Sequence, residues 1–379
     1  MKSLKYYISP LLVAGAAVLA LNSCSDDDFT ESIFPDGDEQ LDPNSTTYKF
    51  DKWLQQNYLE VYNLDFRYKM QDVGTNMNYN LVPATYQNSV DLAVLAKYLW
   101  FDVYKDVVNP EFLKQYGPRI IHLIGSPAHN PTTGTIILGL AEGGIKVSLF
   151  RVNQMDVNDF NQMNEYYFKT MHHEFAHILH QKKTYPSEFN KISAGHYDAS
   201  NWQNRQIGVV NSLGFVTTYA SDAFREDFAE TIANYITKTD EQWAEIYEMA
   251  ARGWETPSAS ASDPNAVYYC WYYYANNNAG DENKKYAVDK DVITDSTETG
   301  VEYHHRSLYD ADGNPLRIYP VEDKDGIDGV AALKQKIEIA RTWLKDKWGV
   351  DLDKLRKEVQ YRQQHIDMKA LRQQIENVK

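Results

Sequence analysis

The spacing of apolar and polar positions divides the chain into helical and extended stretches. Ser89 to Tyr104 repeats at helical intervals, with Leu92, Leu95, Leu99 and Val103 on one stripe. Two more helical patterns run from about Asn161 to Gln181 and from Asp222 to Tyr235, the latter with Phe224, Phe228, Ile232 and Tyr235 as its packed stripe. Near the end, Leu333, Ile337, Ala340 and Leu344 recur at helical spacing, and Gly349 stops that helix. Leu352, Leu355 and Val359 open another. Tyr62 to Tyr68 alternates and predicts a strand, and Arg119 to Ile124 a short buried one. Thr135 to Leu140 and Ile145 to Phe150 predict two strands joined through Ala141-Glu142-Gly143-Gly144, a hairpin signal.

Residues 255–325 change character. Ser, Asp, Asn and Gly are frequent there, around a Tyr268–Tyr274 run that reads as core or strand. Asp310 to Pro315 predicts a turn before Leu316 to Tyr319. Asp323-Lys324-Asp325-Gly326 also fits a turn, since the terminal Glu of a calcium loop is missing.

The first residues read as an address. Lys2 and Lys5 precede an apolar run, Leu11 to Leu21, which at ~1.5 Å per residue covers about half of a ~30 Å hydrocarbon core. The run ends in Leu21-Asn22-Ser23-Cys24, which resembles the lipobox of bacterial lipoproteins and implies a lipid on Cys24. Ser25-Asp26-Asp27-Asp28 resembles a surface-export signal, and residues 24–48 read as an acidic tether. With Cys24 lipidated, Cys270 has no disulfide partner. A net charge of -15, from 53 acidic and 38 basic residues, argues against a nucleic-acid partner.

The chemistry concentrates in Met171 to His180. His173 and His177, four residues apart on a helix, share one face and can reach a single Zn²⁺. Glu174, beside the first ligand, is placed to accept a proton from water. A catalytic zinc usually takes three protein ligands. His180 and Lys183 stand where the metzincin pattern requires Gly and His. The gluzincin pattern instead requires a glutamate on a later helix, which points to Glu226 as third ligand and Glu230 as the acceptor orienting a ligand histidine. His180 lies a turn past the metal and reads as a packed or substrate-side residue. His172 reads as structural, and His196, His304 and His305 as surface residues.

The blocks His173 to His177, Thr218-Tyr219 and Glu226 to Glu230 resemble the catalytic domain of anthrax lethal factor and its gluzincin relatives over roughly residues 165–235. In that family a tyrosine seven residues before the ligand glutamate faces the zinc-bound oxygen, and Tyr219 holds that position. The wider layout, including Gly349-Val350-Asp351-Leu352, resembles the "putative zinc-binding metallopeptidase" lipoproteins of gut-dwelling bacteria. The resemblance implies an α+β, zincin-like fold: a mainly antiparallel sheet, an active-site helix and a helical C-terminal part. It also implies an edge strand pairing with substrate, for which Ile145 to Phe150 is the candidate. The expected organisation is a signal peptide at 1–23, the tether, a catalytic domain at 49–254, an insertion at 255–325 and packed C-terminal helices at 326–379. The expected activity is hydrolysis of extracellular peptides or glycoproteins by an outer-membrane, surface-exposed lipoprotein. The rival expectation is a surface lipoprotein that binds glycans or peptides on a non-catalytic zincin fold.

Overall fold

The computed structural model describes residues 41–70, 81–129, 136–137, 139–142, 146–205, 207–250, 252–255, 269–272, 293–295, 302–304 and 327–378. The chain divides into two units, Met1–Tyr48 and Lys49–Lys379. In the first, Asp42 to Tyr48 forms a turn closed by bonds from Ser45 N to Asp42 O and from Tyr48 N to Ser45 O.

Helix α1, all but its first residue in the second unit, runs Tyr48–Leu54, through a wider π turn at Gln55–Leu59, to Glu60–Tyr62. Phe50, Trp53, Tyr58 and Tyr62 form its buried stripe, and Asn63 ends it in the left-handed conformation. Strand β1 is Asp65–Arg67. Helix α2 runs Tyr86–Ala96, through a π turn at Lys97–Phe101, to Asp102–Val107, and α3 is Phe112–Tyr116. Strand β2 is Ile120–Leu123. Ala128–His129 (β3) pairs antiparallel with Ile136–Ile137 (β4), and Gly139–Glu142 (β5) with Lys146–Leu149 (β6).

The main sheet has the order β1-β2-β6-β5. The β1–β2 and β2–β6 ladders are parallel, so the expectation of a mainly antiparallel sheet is wrong. The reason is the connection: α2 and α3 carry the chain back between β1 and β2, as parallel strands require. The expected hairpin is present with shifted bounds: β5 continues through Ala141 and Glu142, expected in the turn, while Ile136 and Ile137 of the expected first strand pair with β3 instead. The edge-strand expectation for Ile145 to Phe150 is also overturned. Strand β6 is bonded on both sides, and β5 takes the edge.

Helix α4 runs Phe160–Met163, through a π turn at Asn164–Phe168, to Lys169–Lys182. Asp159 caps it, accepting from Gln162 N at 3.0 Å. Met171, Phe175, Ile178 and Leu179 bury its stripe, and the helix packs against β5 and β6. Phe189–Ile192 (α5) and Ile207–Ser212 (α6) lead to Phe224–Thr237 (α7), which packs on α4, and to Asp240–Ala250 (α8). Phe228 and Ile232 are buried on α7, but Phe224, expected in its stripe, is exposed at the first turn. Arg252–Glu255 (β7) pairs with Tyr269–Tyr272 (β8), and Ile293–Asp295 (β9) with Glu302–His304 (β10), all antiparallel.

Three capped helices close the chain: α9 (Gly329–Trp348), α10 (Leu352–Gln364) and α11 (Met368–Glu376). Asp328, Asp351 and Asp367 each accept from the backbone three residues on, and Gly349 ends α9 at φ 68°. These helices are tied to the rest of the unit through side chains. Arg362 donates to Tyr98 O at 2.8 Å and Asp106 at 2.6 Å, and Arg372 pairs with Asp91 at 2.6 Å. Gly214, at φ 80°, lies so close to Ala332 that a Cβ there would come within 2.5 Å of the alanine methyl.

Candidate metal centre

Helix α4 presents His173 and His177 one turn apart on the face toward α7, where Glu226 sits in the first turn and Glu230 one turn later. Three atoms converge between the helices. His177 Nε2 lies 3.0 Å from His173 Nε2 and 3.1 Å from Glu226 Oε2, and His173 Nε2 lies 3.2 Å from the same oxygen. Tetrahedral zinc bonds of ~2.0–2.1 Å set neighbouring donor atoms roughly 3.3 Å apart, so the triangle has the size zinc requires. It is the metal-ligating group that converges among the described residues.

The donor chemistry fits as well. His173 Nδ1 lies 2.8 Å from Glu230 Oε1, and a carboxylate can only accept. His173 therefore donates there and turns its Nε2 lone pair into the triangle. Glu230 Oε2 accepts from Thr217 Oγ1 at 2.7 Å and Asn234 Nδ2 at 3.1 Å. Burial alone would raise the Glu230 carboxyl, but Lys169, His173 and Thr217 hold it below the usual carboxylate range. Burial likewise opposes ionisation of Glu226, and His173 and His177 outweigh it. Burial disfavours charge on His173, yet without a metal Glu226 and Glu230 raise it to about 10, so the cradle favours a positive charge between its carboxylates, and a bound cation takes the place of the Nε2 proton.

Glu174 is 8% exposed beside the first histidine. Burial pushes its carboxyl up, His173 and His177 pull it down, and Glu226 and Glu230 push it up again. The Tyr219 ring stacks on His173 with centroids 5.8 Å apart, and its hydroxyl lies against the Glu226 carboxylate. Burial and that carboxylate keep the phenol protonated well above its ordinary range.

A family model described as "Putative zinc-binding metallo-peptidase" matches residues 43–353. The chain belongs to that family. It is also similar to a crystal structure from Bacteroides caccae described in the same words. That likeness has 33% identity and a TM-score of 0.57, and covers 84% of this chain and 94% of the other. No curated protein matches the chain. Together with the His-His-Glu triangle, these likenesses identify the metal of this zinc-binding metallopeptidase family member as zinc.

The structure brings His173, Glu174, His177, Tyr219, Glu226 and Glu230 into one site. His172 points away, buried, with Nδ1 3.1 Å from the Tyr104 hydroxyl, and burial lowers it to about 3. His180 is a residue whose place the sequence did not reveal: its Nε2 lies 2.8 Å from His177 Nδ1. Burial, then His177 and Arg225, lower it to about 4. Thr217, Asn234 and Lys169 were also missed, as was Trp202, 4.8 Å from the Tyr219 ring. Only Lys169 carried a signal, one turn before His173 on the same helix. Cys24, the signal sequence, the Asp310–Pro315 turn, the Asp323–Gly326 turn and His305 lie outside the described residues, as do the side chains of the Tyr268–Tyr274 run and of His304.

Proposed function

We propose that this protein is a zinc-dependent peptidase that hydrolyses extracellular proteins or glycoproteins, with His173, His177 and Glu226 as ligands and Glu174 as general base. The observation that carries the reading is the buried Glu174 carboxylate beside a donor triangle of zinc size. When bound, zinc lowers the pKa of a water and polarises a carbonyl. Glu174 takes the proton of the attacking water and hands it to the departing amine nitrogen, so the peptide C–N bond breaks without a free charged amide. Its burial suits both steps, because a raised carboxyl accepts and releases protons nearer neutral pH. Tyr219, protonated and aimed at the ligand end of the site, donates to the carbonyl oxygen as negative charge grows there. Strand β5, at an edge of the sheet beside α4, offers an extended peptide a ladder to join. The order of the motif blocks, with Tyr219 seven residues before Glu226, supports the same gluzincin assignment.

The direct test incubates zinc-loaded protein with extracellular glycoproteins and maps new N-termini by mass spectrometry. A zinc-stripped sample is the control. Cleavage present only with zinc is expected, and identical termini in both samples would sink the reading. Tyr219→Phe is expected to lower kcat by about 10²–10³ with little change in KM, as loss of one oxyanion donor does. A change confined to KM would place Tyr219 in substrate binding instead.

The location is part of the proposal: a lipid on Cys24 anchors the protein in the outer membrane, with its folded part outside the cell. The lipobox-like Leu21 to Cys24 and the following acidic cluster support it. Cys24→Ser is expected to lose incorporation of a fatty-acid analogue while keeping wild-type zinc content. Continued labelling of the variant would remove the anchor from the account.

A further inference from the structure

The two histidine ligands are held differently. His173 Nδ1 meets Glu230 Oε1 at 2.8 Å, a partner that can only accept. His177 Nδ1 meets His180 Nε2 at 2.8 Å, a partner that can donate or accept according to its tautomer. For His177 Nε2 to offer a lone pair to the triangle, its Nδ1 must carry the proton, and His180 Nε2 must accept it. We propose that His180 is the positioning residue of the second zinc ligand, a neutral imidazole acceptor that fixes the His177 tautomer and ring angle. This rests on the zinc site and is independent of whether the site cleaves peptides.

The surroundings make His180 suited to that task. Its ring stands edge-on to Tyr185, 5.7 Å away at 88°, and to Phe228, 6.3 Å away at 83°. These contacts limit its rotation. Backbone carbonyls along α4 are taken by the helical ladder, so a side chain one turn on is the available acceptor. Charge accounting also favours an uncharged group. Glu174, Glu226 and Glu230 already surround the two ligands, and a fourth carboxylate at His180 would add repulsion in this largely buried site. The position excludes direct ligation. Nδ1 and Nε2 lie on different sides of the His177 ring, so His180 bonds the nitrogen turned away from the triangle.

The test is zinc affinity of the full-length protein in detergent, measured by competition with a fluorescent chelator. His180→Phe keeps a ring but has no acceptor, and is expected to bind zinc about 10–100-fold more weakly, as loss of an outer partner of a metal-bound histidine does. His180→Gln restores an acceptor oxygen and is expected to recover most of that loss. Zinc-free melting curves show whether each variant is folded. Should the phenylalanine variant fail to fold, His180→Leu replaces it, and nitrogen NMR of the His177 tautomer in the zinc-free wild type gives a second readout. Wild-type affinity in an acceptor-free variant would overturn the proposal. Equal weakening in the glutamine variant, with a changed Co²⁺ absorption spectrum, would make His180 a ligand and overturn it too. A protein inert towards peptides that still ranks wild type and Gln above Phe fails the catalytic reading and keeps this one.

Discussion

Glu174→Gln is expected to reduce peptide hydrolysis by at least 10²–10⁴-fold, the usual contribution of general acid–base catalysis, and to leave zinc in place. The side chain keeps its size and its place in the helix, and it is not one of the three converging donors. What it loses is the ability to take a proton from water and deliver it to the amine. Both halves of the reaction depend on that transfer, so kcat and kcat/KM should fall together. The pH profile adds a separate check. A base must be ionised to act, so activity falls as pH drops through the Glu174 pKa. Burial, the largest influence on that group, puts this acidic limb above the ordinary carboxylate range. Steady-state cleavage of a peptide found by N-terminal mapping, with zinc measured in parallel, decides the matter. Activity within a few fold of wild type would remove Glu174 from the mechanism, and equal inertness of both proteins with retained ligand binding would favour a binding lipoprotein.

The site was more legible than the sheet. His173 and His177 are four apart on a helix whose apolar stripe marks its other face, so their meeting follows from helical geometry alone. Glu226 and Glu230 obey the same rule on α7, and the gluzincin pattern, rather than their spacing, told the expected ligand from the orienting residue. Strand direction has no comparable local signature. Asp65–Arg67 and Ile120–Leu123 are short, and their parallel pairing is decided by the helices between them. The hairpin at β5–β6 could be read because its residues are neighbours in sequence, whereas the mainly antiparallel sheet was expected from the family resemblance alone. His180 illustrates a further limit. Its offset from His177 was visible, but whether it met the metal, the substrate or the ligand's far nitrogen depended on ring orientation. Thr217 and Asn234 gave no pattern at all, since hydroxyls and amides acquire meaning only through the carboxylate they meet.

The other large effect concerns a residue with no apparent role in the helical pattern. Lys336→Met is expected to destabilise the fold by about 3–5 kcal/mol, the range for removing one partner of a buried ion pair. Lys336 Nζ lies 2.6 Å from Asp227 Oδ2, and both side chains are 0% exposed. The same ammonium donates to Ser193 Oγ at 2.8 Å and Gly214 O at 2.7 Å. Burial penalises charge on each partner and each offsets part of the other's penalty, leaving Asp227 raised and Lys336 lowered. Methionine fills much of the space but leaves Asp227, among the described residues, with the Tyr197 hydroxyl 2.8 Å away as its side-chain donor. Asp227 directly follows Glu226 on α7, so the pair fastens α9 to the helix that supplies the proposed third zinc ligand. Trp343 supports the same junction, packing edge-on against Phe228 at 5.1 Å. Adding Asp227→Asn to Lys336→Met removes the stranded charge and keeps an acceptor for Tyr197, so most of the lost stability should return. Urea unfolding of zinc-free wild type, single and double variants measures this. A single variant as stable as wild type would show that the charges contribute nothing net. A double variant no better than the single one would place the cost in the lost bonds to Ser193 and Gly214.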